Sequence, residues 1–519
     1  MARERQVALG PISTLDQSSL EQFQTELIKA RFRSVDDEFQ RVWVGPVPDG
    51  FGTITDATQM RLEFQDGWPF RPPKVFVPGI ELEHVNPEGE VCLWRPDDPS
   101  LQWTTFEGLN NRIREWCSAA EGGFRPEDAA LDAHLYFERG QATRTLVTFD
   151  LGTLSPSGFS DRRDGALHGL RKHSGLIEVT GGPGPSESVP GRWYYRATIP
   201  VPPHDIETFK NKLGRSQLRD FDELCESVES RPVGSERLAL LIWNADLKEN
   251  ALPLLLRREE EGVVAQPLIA APTDIRTLSL RSGPDFPTLR TKRVALFGAG
   301  AIGSHVALLL SECGLGHLII IDCDVLRPGN VVRHMADRRL IGYPKADIVK
   351  ILVQASAPWT SVESKGACPW TLDDLSSLTK DIHLVVDATG YWSFAQHVSA
   401  YFRQSNVPLV SAALYRGGAV ARIRRQVLET DAVICERVEN PAYPIIPPDD
   451  QGGFTLEIGC SSPVHNASPA AVAAAAALTA QVAIDALTER FRYGDEVLDV
   501  YSVLESPPFD KLGRIEFGQ

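Results

Sequence analysis

Three groups of residues in this chain have types and spacing that could do chemistry. The first is Gly298-Ala299-Gly300-Ala301-Ile302-Gly303, which follows the apolar run RVALF directly and leads into Ile302, Val306, Leu309 and Cys313 at helical spacing. A strand passing through a glycine turn into a helix brings bare backbone and the positive helix end to one point, where phosphate oxygens bind. The second group begins at Asp322, which closes the run HLIII about twenty residues further on, where a carboxylate accepts hydrogen bonds from ribose hydroxyls. So far NAD and ATP fit equally well. The segment IDCDVLRPGNVVRHM, followed by GYPK, separates them by adding Asp324, Asn330, Arg333 and Lys345. A carboxylate that attacks the α-phosphorus of ATP must have charge spread over the triphosphate, and Arg333 and Lys345 supply it. Asp387 ends HLVVD, at the strand edge where open α/β sheets bind ligands, and is assigned to Mg²⁺.

The third group is made of thiols. Eight cysteines are spread along the chain without a C-x-x-C pair, which argues against a disulfide framework and a paired-cysteine zinc site. A thiol can take over an acyl-adenylate only from an accessible, mobile segment. Cys460 has such a setting in DDQGGFTLEIGCSSPVHNAS, ahead of Ser468-Pro469, an N-cap and first helical residue for the alanine-rich run. A helix N-terminus and His465 follow it in sequence, and either lowers the pKa of a thiol that it contacts. Cys435 in AVICERVEN is the fallback, whereas Cys117, Cys313 and Cys323 read as structural. Cys92 sits in a compact loop over 84–105.

The elements that must position these residues fall into three stretches, as the length of 519 residues predicts. Residues 19–32 place Leu20, Phe23 and Leu27 on one helical face. The runs RVWVGPVP, MRLEF and PPKVFVP then read as an antiparallel meander, and Leu109, Ile113, Trp116 and Ala120 mark a second helix. This makes an α+β unit over 1–145. The stretch 146–285 is less legible: RWYYRATIPV and RLALLIWNA look like strands, GGPGPSESVPG like a connector, and no chemistry is assigned there. From 286 to 519, RVALF, HLIII, HLVVD and PLVSA alternate with helical segments, which predicts a doubly wound α/β sheet.

Composition narrows the classes. With 42% apolar and 24% charged residues the chain reads as an ordinary globular protein. A net charge of −16 disfavours a nucleic-acid partner. The start lacks an apolar signal segment, and AAVAAAAALTAQVAIDAL, mostly alanine, suits a packed helix better than lipid, so no membrane role and a cytoplasmic location are expected.

Over roughly 290–490 the glycine loop, Asp322, Asn330, Arg333, Lys345 and Asp387 resemble the ubiquitin-activating enzymes and the bacterial enzymes that adenylate sulfur-carrier proteins. The resemblance implies ATP contacts by Gly298, Gly300, Gly303, Asn330, Arg333 and Lys345, ribose binding by Asp322 and magnesium at Asp387. It also implies an arginine from an N-terminal segment, for which Arg290 is a candidate. Many relatives carry two zinc-binding C-x-x-C pairs, absent here. In the autophagy-type activating enzymes a cysteine in the crossover loop before the late helix receives the carboxylate as a thioester, and Cys460 matches that placement.

The N-terminal stretch, roughly 15–145, resembles the ubiquitin-conjugating enzymes. GWPFRPPKVFV is similar to their Tyr-Pro-Phe-x-x-Pro-Pro segment, His84-Val85-Asn86 to their His-Pro-Asn, and Cys92-Leu93 to their catalytic Cys-Leu, with Trp103 downstream. Cys92 is then the acceptor thiol, Asn86 the oxyanion donor and His84 a loop-ordering residue. Valine in place of the middle proline and a shorter interval from Asn86 to Cys92 depart from the family pattern. Taken together, the two resemblances match bacterial fusions of conjugating and activating domains in antiviral, cyclic-oligonucleotide signalling operons. They imply activation of a partner's C-terminal carboxylate, that of a ubiquitin-like protein or a cyclic-oligonucleotide nucleotidyltransferase. Thioester transfer to Cys460 and then Cys92, isopeptide formation on lysine amines and a homodimer follow from the same resemblance. The alternatives are a sulfur-carrier adenylating protein whose N-terminal domain only binds partners and, more remotely, an NAD-binding protein.

Overall fold

The computed structural model describes residues 11–517 except 36–38, 81, 83, 86–88, 95–99, 125–144, 155–163, 174, 197–225, 246–247, 368, 370, 437–453 and 456–463. The chain divides into two compact units, Met1–Asp274 and Ile275–Gln519.

In the first unit, helix α1 (Gln17–Lys29) starts where the Asp16 carboxylate accepts a hydrogen bond from the Ser19 amide at 3.0 Å, which satisfies one of the free donors of the first turn. Its Leu20, Phe23 and Leu27 are buried. Five short antiparallel strands follow in sequential order: β1 (Arg33–Ser34), β2 (Val42–Pro46), β3 (Gln59–Glu63), β4 (Lys74–Phe76) and β5 (Glu90–Val91). Helix α2 (Phe106–Gly122) is capped by Thr105 and buries Leu109, Ile113, Trp116 and Cys117. Aromatic edges lock this core: Phe23 meets Phe64 at 5.7 Å and Trp68 at 5.4 Å.

The less legible stretch forms an eight-stranded mixed sheet of β6 (Leu146–Phe149), β7 (Asp164–His173), β8 (Leu176–Gly181), β9 (Val189–Arg196), β10 (Glu236–Ala245), β11 (Lys248–Glu259), β12 (Gly262–Pro267) and β13 (Ile269–Pro272). Their spatial order is β12-β11-β10-β9-β7-β8-β6-β13. Strand β10 is buried on both faces, Leu238, Leu240 and Ile242 in one core and Ala239 and Leu241 in another, so it has no alternation for a period-two reading to find.

The second unit is built on β14 (Arg293–Phe297), α3 (Ala301–Glu312), β15 (His317–Ile321), α4 (Lys345–Ser356), β16 (Ser361–Lys365), α5 (Leu372–Thr379), β17 (Leu384–Asp387), α6 (Trp392–Ser405), β18 (Leu409–Tyr415) and β19 (Val420–Gln426). It is completed by the small pair β20 (Phe454–Thr455) and β21 (Val464–His465), then α7 (Pro469–Leu487), β22 (Glu496–Val500) and β23 (Gly513–Phe517). The large sheet runs β16-β15-β14-β17-β18-β19-β22-β23, parallel as far as β18 and antiparallel beyond it. This is the expected doubly wound sheet, and its order reverses between β14 and β17, the crevice where such sheets bind ligands. Helices α3, α4 and α7 share one core with the sheet, while Leu375 of α5 and Val398 and Phe402 of α6 close the other face. The alanine-rich helix α7 starts on Ser468, whose hydroxyl accepts from the Ala471 amide at 3.2 Å, and it packs within the core.

Candidate active site

The turn after β14 is shaped by what a side chain would strike. Gly298 has φ +88°, and a Cβ there would lie 2.9 Å from the Ala388 carbonyl and the Thr389 nitrogen in the loop after β17. On Gly303 a Cβ would collide with the Gly298 carbonyl. Gly300, the N-cap of α3, is different: a Cβ there would meet nothing within 4 Å. Packing requires the first and third glycines. The second keeps backbone open toward space at a helix N-terminus, as an approaching phosphate requires.

Between them, the peptide of Ala299 is clamped from both sides. Its N–H donates to Asp322 Oδ2 at 2.7 Å, and its carbonyl accepts from His334 Nε2 at 2.8 Å. The Ala336 amide donates to His334 Nδ1 at 3.0 Å, so the proton of the neutral ring sits on Nε2. Burial holds the His334 pKa below the ordinary histidine value, against the opposing influence of the Ala299 bond. Asp322 Oδ1 accepts from the Asp324 amide at 2.8 Å. Each Asp322 oxygen keeps a lone pair for a ligand.

The cations stand beyond β15. Lys345, 9% exposed, begins α4, where the helix dipole disfavours a positive charge, and its ammonium pairs with Asp324 Oδ2 at 2.5 Å. Burial works to raise the Asp324 pKa, but the Lys345 bond and charge prevail and hold it below the usual carboxylate value. Asn330 acts on the backbone: its Oδ1 accepts from the Arg327 amide at 3.2 Å, and its carbonyl accepts from the amides of Arg333 at 2.9 Å and His334 at 3.0 Å. One turn therefore presents both Arg333 and His334. The Arg333 carbonyl is tied to His305 Nε2 of α3 at 3.3 Å. Arg290 lies before β14, at the opposite edge of the sheet from the glycine loop, with its guanidinium on the Trp359 carbonyl.

Asp387, the last residue of β17, pairs in register with Phe297 of β14 on one side and Ser411 of β18 on the other. It is 2% exposed, and its oxygens accept from the Thr389 hydroxyl at 2.7 Å, the Thr389 amide at 3.1 Å and the Ser411 hydroxyl at 2.9 Å. Burial pushes its pKa up, against those bonds and the nearby Arg424. The described residues contain no cluster of three or more metal-ligating side chains. A single buried carboxylate still fits Mg²⁺, which takes one or two carboxylates and most of its shell from phosphate and water. The same register line continues through Ser411 to Arg424 of β19 and Glu496 of β22.

Of the thiols, Cys92 is half-buried, its amide donating to the His84 carbonyl at 2.8 Å. Burial pushes its pKa up, Glu90 adds to this and Arg112 opposes it. His84, 7% exposed and at φ +66°, packs its ring 4.3 Å from that of Phe124. Cys117 is core, pushed up to about 11 chiefly by burial. Cys313 ends α3 half-buried, and Cys435 is half-buried with its amide on the Ser399 hydroxyl at 3.0 Å. Cys323 is exposed. Asn86 and Cys460 lie outside the described residues. Sequence reasoning misses His334, Ser411 and Arg424. A signal for the last is present in VARIRRQ, a strand with three arginines that is buried along its whole length.

Residues 276–498 match the model of the ThiF family. A protein of Sinorhizobium fredii named only as uncharacterized protein y4oA is 25% identical over 462 residues, 76% of this chain and 77% of that protein. The ATP-dependent ubiquitin transferase-like protein Cap2 of Pseudomonas aeruginosa is 26% identical over 214 residues, 40% of this chain and 37% of that one. The molybdopterin-synthase adenylyltransferase of Escherichia coli is 28% identical over 131 residues, 25% of this chain and 51% of that one. The chain thus spans about a third to a half of the length of the last two. Its C-terminal unit has a ThiF-like α/β adenylation fold and is an ATP-dependent adenylyltransferase that works with ATP and Mg²⁺.

Proposed function

We propose that the C-terminal unit adenylates the C-terminal carboxylate of a protein or peptide partner, and that the first unit recognises that partner without doing chemistry. The observation that carries this is that the clamped glycine loop, the Lys345–Asp324 pair and Asp387 follow or end the adjacent parallel strands β14, β15 and β17 at their C-terminal ends. In the reaction a carboxylate oxygen of the partner bonds to the α-phosphorus, the bond to the β-phosphate oxygen breaks, and pyrophosphate leaves. The backbone of Gly298, Gly300 and Gly303 cradles the phosphates, Asp322 holds the ribose, and Arg333 and Lys345 face the developing charge, with Asn330 shaping their turn. Asp387 is the residue that would hold Mg²⁺, which supplies neutralisation of phosphate charge.

Exchange of labelled pyrophosphate into ATP tests the reading. It should appear only with a partner bearing a free C-terminus and vanish when that terminus is amidated; exchange that ignores the carboxylate would refute it.

A second reading is a conjugation relay in which the acyl group passes to Cys460, then to Cys92, and on to a lysine amine with Asn86 as oxyanion donor. A homodimer in bacterial anti-phage defence would be its setting. It is favoured by the place of Cys92 after the meander and before α2, and by the likeness to Cap2. The raised Cys92 pKa supports the first reading, since a thiol held protonated is a poor acceptor. Mass spectrometry on Cys92→Ser and Cys460→Ser proteins decides between them: an ester trapped on the hydroxyl of the Cys92→Ser protein would establish the relay and displace the recognition role.

A further inference from the structure

Arg424 is 2% exposed, yet two of its three guanidinium nitrogens, Nε and Nη1, are buried without a hydrogen-bond partner, and Nη2 has only a long 3.5 Å contact with the Ser411 hydroxyl. Among the described residues no carboxylate forms an ion pair with it. Glu496, its neighbour in register on β22, is ion-paired with Arg422, and Asp387 is committed to Thr389 and Ser411. The guanidinium stacks instead over the ring of Trp392, 4.7 Å from its centroid, at the start of α6. A buried arginine with unused donors is costly to a free protein, since burial leaves its planar fork without the anion it suits.

Which anion follows from position. Asp387, Ser411 and Arg424 occupy the same register on β17, β18 and β19. With strands about 4.8 Å apart, Arg424 stands about 14 Å along the sheet from β14 and its phosphate-binding turn. The triphosphate already has the α3 N-terminus, Lys345 and Arg333 on the β14–β15 side. On the β18–β19 side, the unused fork and the flat indole stacked on it match a planar carboxylate.

We propose that Arg424 is the receptor for the carboxylate that this domain activates, a reading that rests on adenylation at this site. Two donors from the fork and the stacking surface of Trp392 would fix the carboxylate plane beside the α-phosphate, and the pocket would reject a neutral C-terminal amide, which leaves the guanidinium unpaired.

The test uses the full chain loaded with α,β-methylene-ATP, whose Pα–CH2 link cannot break to give its adenylyl group to a carboxylate, and two probes, acetylglycine and acetylglycinamide, observed by saturation-transfer NMR. Wild type should bind the carboxylate at least ~10-fold more tightly than the amide, and Arg424→Met should lose that preference with nucleotide affinity unchanged. Arg424→Lys, which keeps charge but not the fork, should retain only part of it. The midpoint of thermal unfolding of Arg424→Met without ligand should not fall, because an unpaired buried charge is removed. A variant that keeps the preference overturns the proposal, as does a clear drop in that midpoint, which would make the arginine structural, or a ~10-fold loss of nucleotide affinity, which would put it on the phosphates. If wild type takes nucleotide but neither probe, adenylation of carboxylates itself fails, and this assignment with it.

Discussion

Replacing His334 by alanine tests whether the glycine turn is held by its two-sided clamp. The side chain makes two hydrogen bonds with buried backbone, to the Ala299 carbonyl and from the Ala336 amide, and those residues are 0% and 4% exposed. Deletion leaves one acceptor and one donor unsatisfied at about 1–3 kcal/mol each, reduced where water enters the vacated space, so a loss of roughly 2–4 kcal/mol is expected. At about 2–4 °C per kcal/mol for a unit of this size, the Tm of the C-terminal transition should fall by about 4–16 °C. The Ala299 peptide would keep only its Asp322 bond, and ATP affinity should fall about tenfold, the equivalent of 1.4 kcal/mol.

The pH dependence gives an independent check. Burial depresses the folded pKa of His334, so the neutral form is favoured in the fold. Its contribution to stability is therefore complete above the unfolded value near 6.5 and is lost as pH falls below that value toward the folded pKa. Scanning calorimetry from pH 8 to 5.5 should show a smaller acid-side loss in His334→Ala than in wild type. If the variant melts within about 2 °C of wild type and binds ATP within about twofold, the clamp does not hold the turn.

Three further outcomes are expected. Gly303→Ala, whose Cβ would strike the Gly298 carbonyl, should abolish nucleotide binding while far-UV circular dichroism stays close to wild type; retained affinity would show that the turn can shift without cost. Asp387→Asn should lose pyrophosphate exchange by about 100-fold or more while the free protein is no less stable, because burial already raises the Asp387 pKa and disfavours its charge; a large drop in Tm would count against this. With limiting iodoacetamide at pH 7.5, peptide mapping should find exposed Cys323 labelled well before Cys92, whose thiol burial holds protonated; preferential labelling of Cys92 would return the N-terminal unit to catalysis.

The local part of the site was legible because it is written in contiguous residues. The apolar run into three glycines, Asp322 at the end of the next strand and Lys345 after a proline each report a backbone feature within a few positions. Even the N-cap Ser468 needed only its neighbours. Within the eight-stranded sheet RLALLIWNA and the start of RWYYRATIPV read as strands and fall in β10 and β9, but the sheet as a whole was not legible, since β10 is apolar on both faces and β7 is interrupted by Gly165 and Gly169, which sit under Trp193 and Leu238. Neither strand shows the alternation by which a half-buried sheet announces itself.

By itself, then, the sequence determined the adenylation fold and its glycine turn, because glycine conformation and strand–turn–helix order are short-range properties. Only the tertiary structure decided which groups hold that turn and which surround the buried carboxylate of Asp387. His334 is 35 residues from the carbonyl it binds, and Ser411 is 24 from Asp387. Arg424 faces Ser411 only because β18 and β19 pair in one register. Those contacts depend on strand order and pairing register, which no local pattern encodes.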